Sequence, residues 1–414
     1  MGTKTDKIRK IPSNIFPCPS VATPQNVKKP GPQSSAPGIV APNSTPENFV
    51  NTDAVNPLVA GLKGRCAKPN ARLVQWTGEV LTSSSLSREK ENARVEAAGG
   101  AVILPYGDFD PKKPVTLLVH GMGPATGEEM LEIAEAQRAL GQQVFILQYD
   151  NKSTLTHVVQ RQVADELLKL EQGGFLGRRS SMLIVAHSAG GVIAEGALRY
   201  LQDPQWMGEQ NVAKQISRAG KKQIYLEFID SPRDGFGPRP GFFSGIIRWF
   251  MRAFKVQAYL EMNAYDTMLE RLHNNPLQGV EIRAHFAHRP TGAFLDFPTV
   301  DSVPELDATE LASFTRFVLR GTIPTDPQQR NFALSLQRDV RFKEFRVEFM
   351  AALRAKGIDP ALVNPSKDVS DILIKTYRKV MPTFLGTHAD IISRPSVINM
   401  LSRRTRELQH RAIR

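Results

Sequence analysis

A doubly wound, mostly parallel α/β sheet is what this sequence predicts, and three observations predict it. Short, continuously apolar runs recur along the chain, helical stretches alternate with them, and one run passes into its helix through a tight turn of small residues. Continuous apolar runs suit strands covered on both faces, and strand–helix alternation builds βαβ units. With 41% hydrophobic and 23% charged residues among 414, the chain has a globular composition. No stretch approaches the roughly 18 uninterrupted apolar residues of a membrane span.

Residues 1–70 carry 11 of the 29 prolines and no sustained apolar period, so they read as a disordered leader ahead of a domain over 71–414. No apolar segment follows the basic start before Pro12 and Pro17, so a secretory signal is not expected. A cytoplasmic home or export by a leaderless route fits that start. Leu73, Val74, Trp76 and Val80 suggest a first strand, and Ala101–Pro105 a second. Val115–Val119 follows as a buried strand, then a helix from Glu128 to Leu140 closed by Gly141. Strand Val144–Leu147, helix Val158–Leu170, strand Met182–Val185 and helix Gly190–Leu201 keep the rhythm. Ile224–Ile229 and Val280–Phe286 supply two more strands. Between them, at about 235–275, lies an insertion in which Phe243, Ile247, Phe250 and Phe254 share one helical side and Arg248, Arg252 and Lys255 another. It reads equally as a lid at a lipid interface, with Trp249 suited to that place, or as a helix packed on the body. A second, mostly helical insertion spans 305–380, with a strand also compatible with Val340–Phe349.

Charge is uneven. The chain is +12, yet residues 1–70 and 378–414 are each +6, which leaves the middle neutral. Basic tails on a neutral body suit peripheral contact with anionic surfaces. No nucleic-acid motif or aromatic-interleaved basic groove is present, so no nucleic-acid partner is expected. Cys18 and Cys66 alone cannot supply a disulfide framework or a zinc site, and phosphate-loop, HExxH and EF-hand patterns are absent. Neither cofactor nor metal is expected.

The chemistry concentrates at Met182–Ala194, a buried strand, a turn with Ser188 at its apex, and a helix. A nucleophile on a sharp strand-to-helix turn needs small neighbours two positions away on each side, here Ala186 and Gly190. The helix that starts behind it favours developing negative charge. Ala-His-Ser-Ala-Gly-Gly resembles the nucleophile elbow of the α/β-hydrolase superfamily, with Ala in place of the motif's first Gly. Val115-Thr-Leu-Leu-Val-His-Gly-Met-Gly is similar to the segment from which lipases and esterases draw their oxyanion loop. The resemblance implies backbone donors at Met122 and Ala189, with His120 holding the loop. Phe384–Val397 resembles the family's catalytic-histidine region and implies His388 as general base, with His187, His285 and His288 as rivals.

Chain order in the superfamily runs serine, acid, histidine. Asp301, after the strand at 280–286, looks like the family's acid loop, though 87 positions separate it from His388. Asp230 ends the preceding strand, where some lipases carry the acid. Asp301 is favoured over Asp230, with Asp296 third, and each is also compatible with a turn or cap role. Together these segments imply a lipase-like or esterase-like serine hydrolase acting on carboxylic esters, with a lipid or other long-chain acyl substrate if the aromatic insertion is a lid. Acyl transfer on the same triad and a non-catalytic binding protein that keeps the fold are the alternatives.

Overall fold

The computed structural model describes residues 75–121, 126–150, 156–176, 181–202, 223–231, 269, 272, 277–288, 306, 308–381, 383–385 and 390–413. The 1–70 leader and most of the 235–275 insertion lie outside them. Six strands form the main sheet: β1 Ala101–Tyr106, β2 Val115–Val119, β3 Gln143–Tyr149, β4 Met182–His187, β5 Ile224–Ile229 and β6 Val280–His285. Their order is β1-β3-β2-β4-β5-β6. β1 runs antiparallel to β3, and every other pairing is parallel. All residues of β2, β3, β4 and β5 are buried, as a strand covered on both faces requires.

The helices divide between the two faces. On one, Leu117, Val119, Phe145, Ile184, Leu226 and Phe228 pack with α3 Thr156–Gln172 and α4 Ala189–Gln202. On the other, Leu118, Val144, Ile146, Leu183, Val185, Tyr225 and Ile229 meet α2 Leu131–Ala139 and α9 Pro395–Ile413. α3 buries Val159, Val163, Ala164, Leu167 and Leu170, a stripe at helical spacing. Gly196 of α4 has room for no side chain: a Cβ there would stand 2.0 Å from Gln160 of α3. Gln160 Nε2 donates to Val192 O at 3.0 Å, which satisfies an amide in this tight contact.

The second insertion is helical throughout its regular elements: α5 Ala308–Arg320, α6 Pro327–Gln337, α7 Phe342–Ala355 and α8 Lys367–Val380. Asp326 caps α6 by accepting from Gln329 N at 3.0 Å, with Pro327 in the first turn. The strand reading of Val340–Phe349 is corrected here. Phe345, Phe349 and Leu353 recur at intervals of four and are all fully buried on one side of α7.

Three other expectations change. Residues 75–80 form no strand; only Leu81 bridges, to Tyr106, and the Trp76 ring packs on Phe109, Phe145 and Phe175 as an aromatic plug. α1 Arg88–Ala98 was not anticipated, because it buries only Glu91 and Val95 and so has no apolar stripe. It forms on residue propensity and ends on Gly99 at φ 81. The C-terminal basic segment is no tail over 395–413: α9 lies on the body and buries Val397, Leu401, Arg404, Thr405 and Leu408. A two-residue strand β8, Phe384–Leu385, pairs parallel with β7, Ala287–His288, which continues from β6. Among the described residues no helix is long and apolar enough to cross a membrane.

Candidate active site

Ser188 follows the last residue of β4 and precedes the first of α4, at φ 51 and 6% exposed. A left-handed backbone is costly for a residue with a Cβ, and a buried one persists only where its surroundings hold it. Here they do. Ser188 N donates to Ile229 O at 3.0 Å, and Gly191 N donates to Ser188 O at 3.0 Å. The glycines behind the turn are demanded by close approach. A Cβ at Gly190 would stand 2.3 Å from His120 O and 2.7 Å from Val119 O, and one at Gly191 would stand 2.1 Å from Ser231 Oγ. α4 can therefore begin directly under Ser188, with Ala189 as its first residue.

A serine in this backbone state at the carboxyl end of a central parallel strand, in a sheet of order β1-β3-β2-β4-β5-β6 with only β1 reversed, identifies the architecture. This is the α/β-hydrolase fold. No family model and no curated protein matches the chain. Among solved structures, the mature Bacillus licheniformis lipase BlEst2 is similar at 14% identity over 47% of this chain and 74% of that one, with a TM-score of 0.32. Aspergillus fumigatus lipase B is similar at 14% identity over 77% of this chain and 68% of that one, with a TM-score of 0.34. A carboxylesterase of the thaumarchaeon Nitrososphaera gargenis is similar at 12% identity over 75% of this chain and 95% of that one, with a TM-score of 0.30.

The second segment that meets Ser188 is the chain leaving β2. A Cβ at Gly121 would stand 2.9 Å from Ser188 Cβ, so this loop lies against the serine itself. Four buried or largely buried side chains hold it. His120 turns both ring nitrogens to oxygens, Nδ1 to Gly121 O at 2.8 Å and Nε2 to Glu91 Oε1 at 2.9 Å. Burial pushes the imidazole pKa down, but Glu91 first, together with Glu129 and the Gly121 carbonyl, outweighs it and holds His120 above its usual value. The Tyr149 ring stacks on His120 at 4.5 Å, and its hydroxyl donates to the carbonyls of His120 at 2.8 Å and Gly121 at 3.0 Å. Burial, then the carboxylates of Glu129 and Glu91, push the Tyr149 hydroxyl well above its usual pKa, so it stays a donor. Glu129 Oε1 accepts from Gly121 N at 2.7 Å and lies 3.0 Å from His187 Nδ1. Burial pushes its carboxyl up, yet His187 first, then His120 and the Gly121 amide, hold it below the usual carboxylate range.

Asp230 stands at the carboxyl end of β5, beside the strand that leads into Ser188. It is 2% exposed, at φ 47, and its N–H donates to His285 O at 2.7 Å. Ser188 and Asp230 are the two non-glycine residues with positive φ among those described. Of the expected site residues, Ser188, Ala189 and Asp230 come together at the carboxyl edge of the sheet. Met122, Asp296, Asp301 and His388 lie outside the described residues, as does the aromatic segment around Trp249. Two rival histidines are engaged elsewhere: His187 faces Glu129, and His285 Nε2 bonds Glu227 Oε2 at 2.7 Å in the buried interior. The side chain of His288 is also outside the description.

His120 was expected to hold the loop, and it does so. Its carboxylate partners were missed. Glu91 and Glu129 carry no local motif, and they meet the loop only because α1 and the 3-10 turn Gly127–Met130 pack against it. Among the described residues, no group of three His, Cys, Asp or Glu side chains is arranged to hold a metal.

Proposed function

We propose that this chain is a serine hydrolase that cleaves carboxylic esters, in the manner of lipases and esterases, through an acyl-enzyme on Ser188. The observation that carries the reading is the backbone of Ser188. Glycine would fill a simple turn at φ 51 without strain, yet a hydroxyl-bearing residue is held there, buried against Gly121.

In this reading His388 takes the proton from Ser188 Oγ as that oxygen adds to the ester carbonyl. The carbonyl oxygen becomes an oxyanion facing the N–H groups of Ala189 and Met122, each donor worth about 3 kcal/mol of transition-state stabilisation. The C–O bond then breaks, and the alcohol leaves with the proton held on His388. Water, deprotonated by the same imidazole, releases the acid and restores the serine. A carboxylate must orient the imidazole and offset its charge. Asp230 is proposed for that part, supported by its burial and positive φ one strand from Ser188, with Asp301 the alternative. A long-chain acyl substrate is proposed from the apolar segment Phe242–Phe254.

The test is labelling with a fluorophosphonate, followed by peptide mapping of the adduct. Labelling should fall on Ser188, vanish in Ser188→Ala and collapse in His388→Ala. The acid is then read from Asp230→Asn against Asp301→Asn: the variant with the larger loss of ester hydrolysis names it. A folded protein that takes no label, with detergent present, would overturn the reading.

A further inference from the structure

Glu129 lies between the two segments that an acyl-transfer site has to keep in register. It sits on the 3-10 turn Gly127–Met130, whose start is fixed by Thr126 accepting from Glu128 N and by Gly127 N donating to Glu91 Oε2 at 2.8 Å. From that turn a single carboxylate oxygen reaches two places. It accepts from Gly121 N at 2.7 Å, on the loop leaving β2, and lies 3.0 Å from Nδ1 of His187, the residue before Ser188. Gly121 in turn lies so close to Ser188 that a Cβ would meet it at 2.9 Å. A shift of the loop relative to the elbow would therefore have to stretch one of the two contacts on Glu129.

We infer that Glu129 is a positioning residue: its Oε1 clamps the loop after β2 to the nucleophile turn and so fixes where Gly121, the residue before the proposed donor Met122, stands relative to Ser188. The inference rests on the serine-hydrolase reading above. Its role is geometric: Oε1 meets the Gly121 backbone on one side and the His187 ring on the other. Two substitutions separate geometry from charge. Glu129→Asp keeps the negative charge but withdraws the oxygen by one carbon–carbon bond. Glu129→Gln gives up the charge but leaves an acceptor oxygen at the same reach for Gly121 N.

Hydrolysis of a short-chain p-nitrophenyl ester is measured on the full chain for both variants, well below their melting temperatures. Exchange of the Gly121 amide is followed with [15N]glycine-labelled protein. Glu129→Asp should lose about 10- to 100-fold in kcat with KM within about 3-fold, the size of effect that a misplacement near 1 Å produces. Its Gly121 amide should exchange faster, while Glu129→Gln should keep kcat within about 5-fold of wild type. The opposite ranking would make Glu129 a charge-balancing group and overturn the inference, as would loss confined to KM or unchanged Gly121 exchange in Glu129→Asp. If the wild type hydrolyses no ester and takes no fluorophosphonate while Gly121 exchange still rises in Glu129→Asp, the hydrolase reading falls and the clamp stands.

Discussion

Residue 188 is where local sequence and local strain meet. Its φ of 51 asks for glycine, and the chemistry asks for a hydroxyl. Ser188→Gly should therefore be more stable than Ser188→Ala by about 1 kcal/mol, since both lose the hydroxyl and only alanine keeps the strained Cβ. Urea midpoints of the two variants check this, and equal midpoints would mean that the turn stores no strain. Gly190 makes the complementary case. Its Cβ would press on two backbone carbonyls, which unlike side-chain tips cannot swing aside. Gly190→Ala should cost about 1–3 kcal/mol by urea denaturation and lower fluorophosphonate labelling as α4 is pushed back from β2. Both residues were legible in the sequence, because the turn confines its requirements to a few consecutive positions. Glu129 was not legible: the atoms it touches belong to residues 8 and 58 positions away.

At the scale of elements, α9 shows how charge counting can mislead. Arg404 contributes to the basic C-terminal segment, yet it is 2% exposed, with Nε 2.8 Å from Glu227 Oε1 and a further ion pair to Glu281. Burial alone would raise the Glu227 carboxyl, but the hydrogen bond from His285 and the Arg404 charge bring it from 4.5 down to about 2. A carboxyl with a lower pKa in the folded state stabilises the fold fully above its unfolded value and loses that contribution as pH falls toward the folded one. The stability gap of wild type over Glu227→Gln should therefore be greatest above roughly pH 5 and should narrow steadily toward pH 3, with a total change of about 3 kcal/mol once pH falls below the folded pKa. Urea titrations across that range check the slope, and a gap independent of pH would mean that the Glu227 carboxyl has the same pKa folded and unfolded. α1 teaches the converse. Helices built on propensity and capping, with little burial, leave no periodic trace to read.

On the scale of the whole molecule, the helical insertion and the sheet share one core. Phe314, Phe332, Phe345, Phe349 and Tyr377 belong to the same buried cluster as Phe228, Leu226 and Ile184. Phe345 is fully buried, with its ring 5.8 Å from Tyr377 and 6.3 Å from Phe349. Phe345→Ala should cost about 3–5 kcal/mol. It should shift far-UV circular dichroism and intrinsic fluorescence together along the urea axis, because a continuous core unfolds as a unit. A separate early transition would show that the insertion folds on its own. The sequence by itself determined the sheet's inner strands, their alternation with helices, and Ser188 at the turn between β4 and α4. Each is written in residues close together, where apolar runs and small-residue turns act over a few positions. Only the tertiary structure decided which carboxylates hold His120, His187 and His285, that α9 is built into the body, and that Asp230 shares Ser188's edge of the sheet. Those facts depend on burial and on contacts between distant segments, where a charge's partner is set by packing and not by its neighbours in the chain.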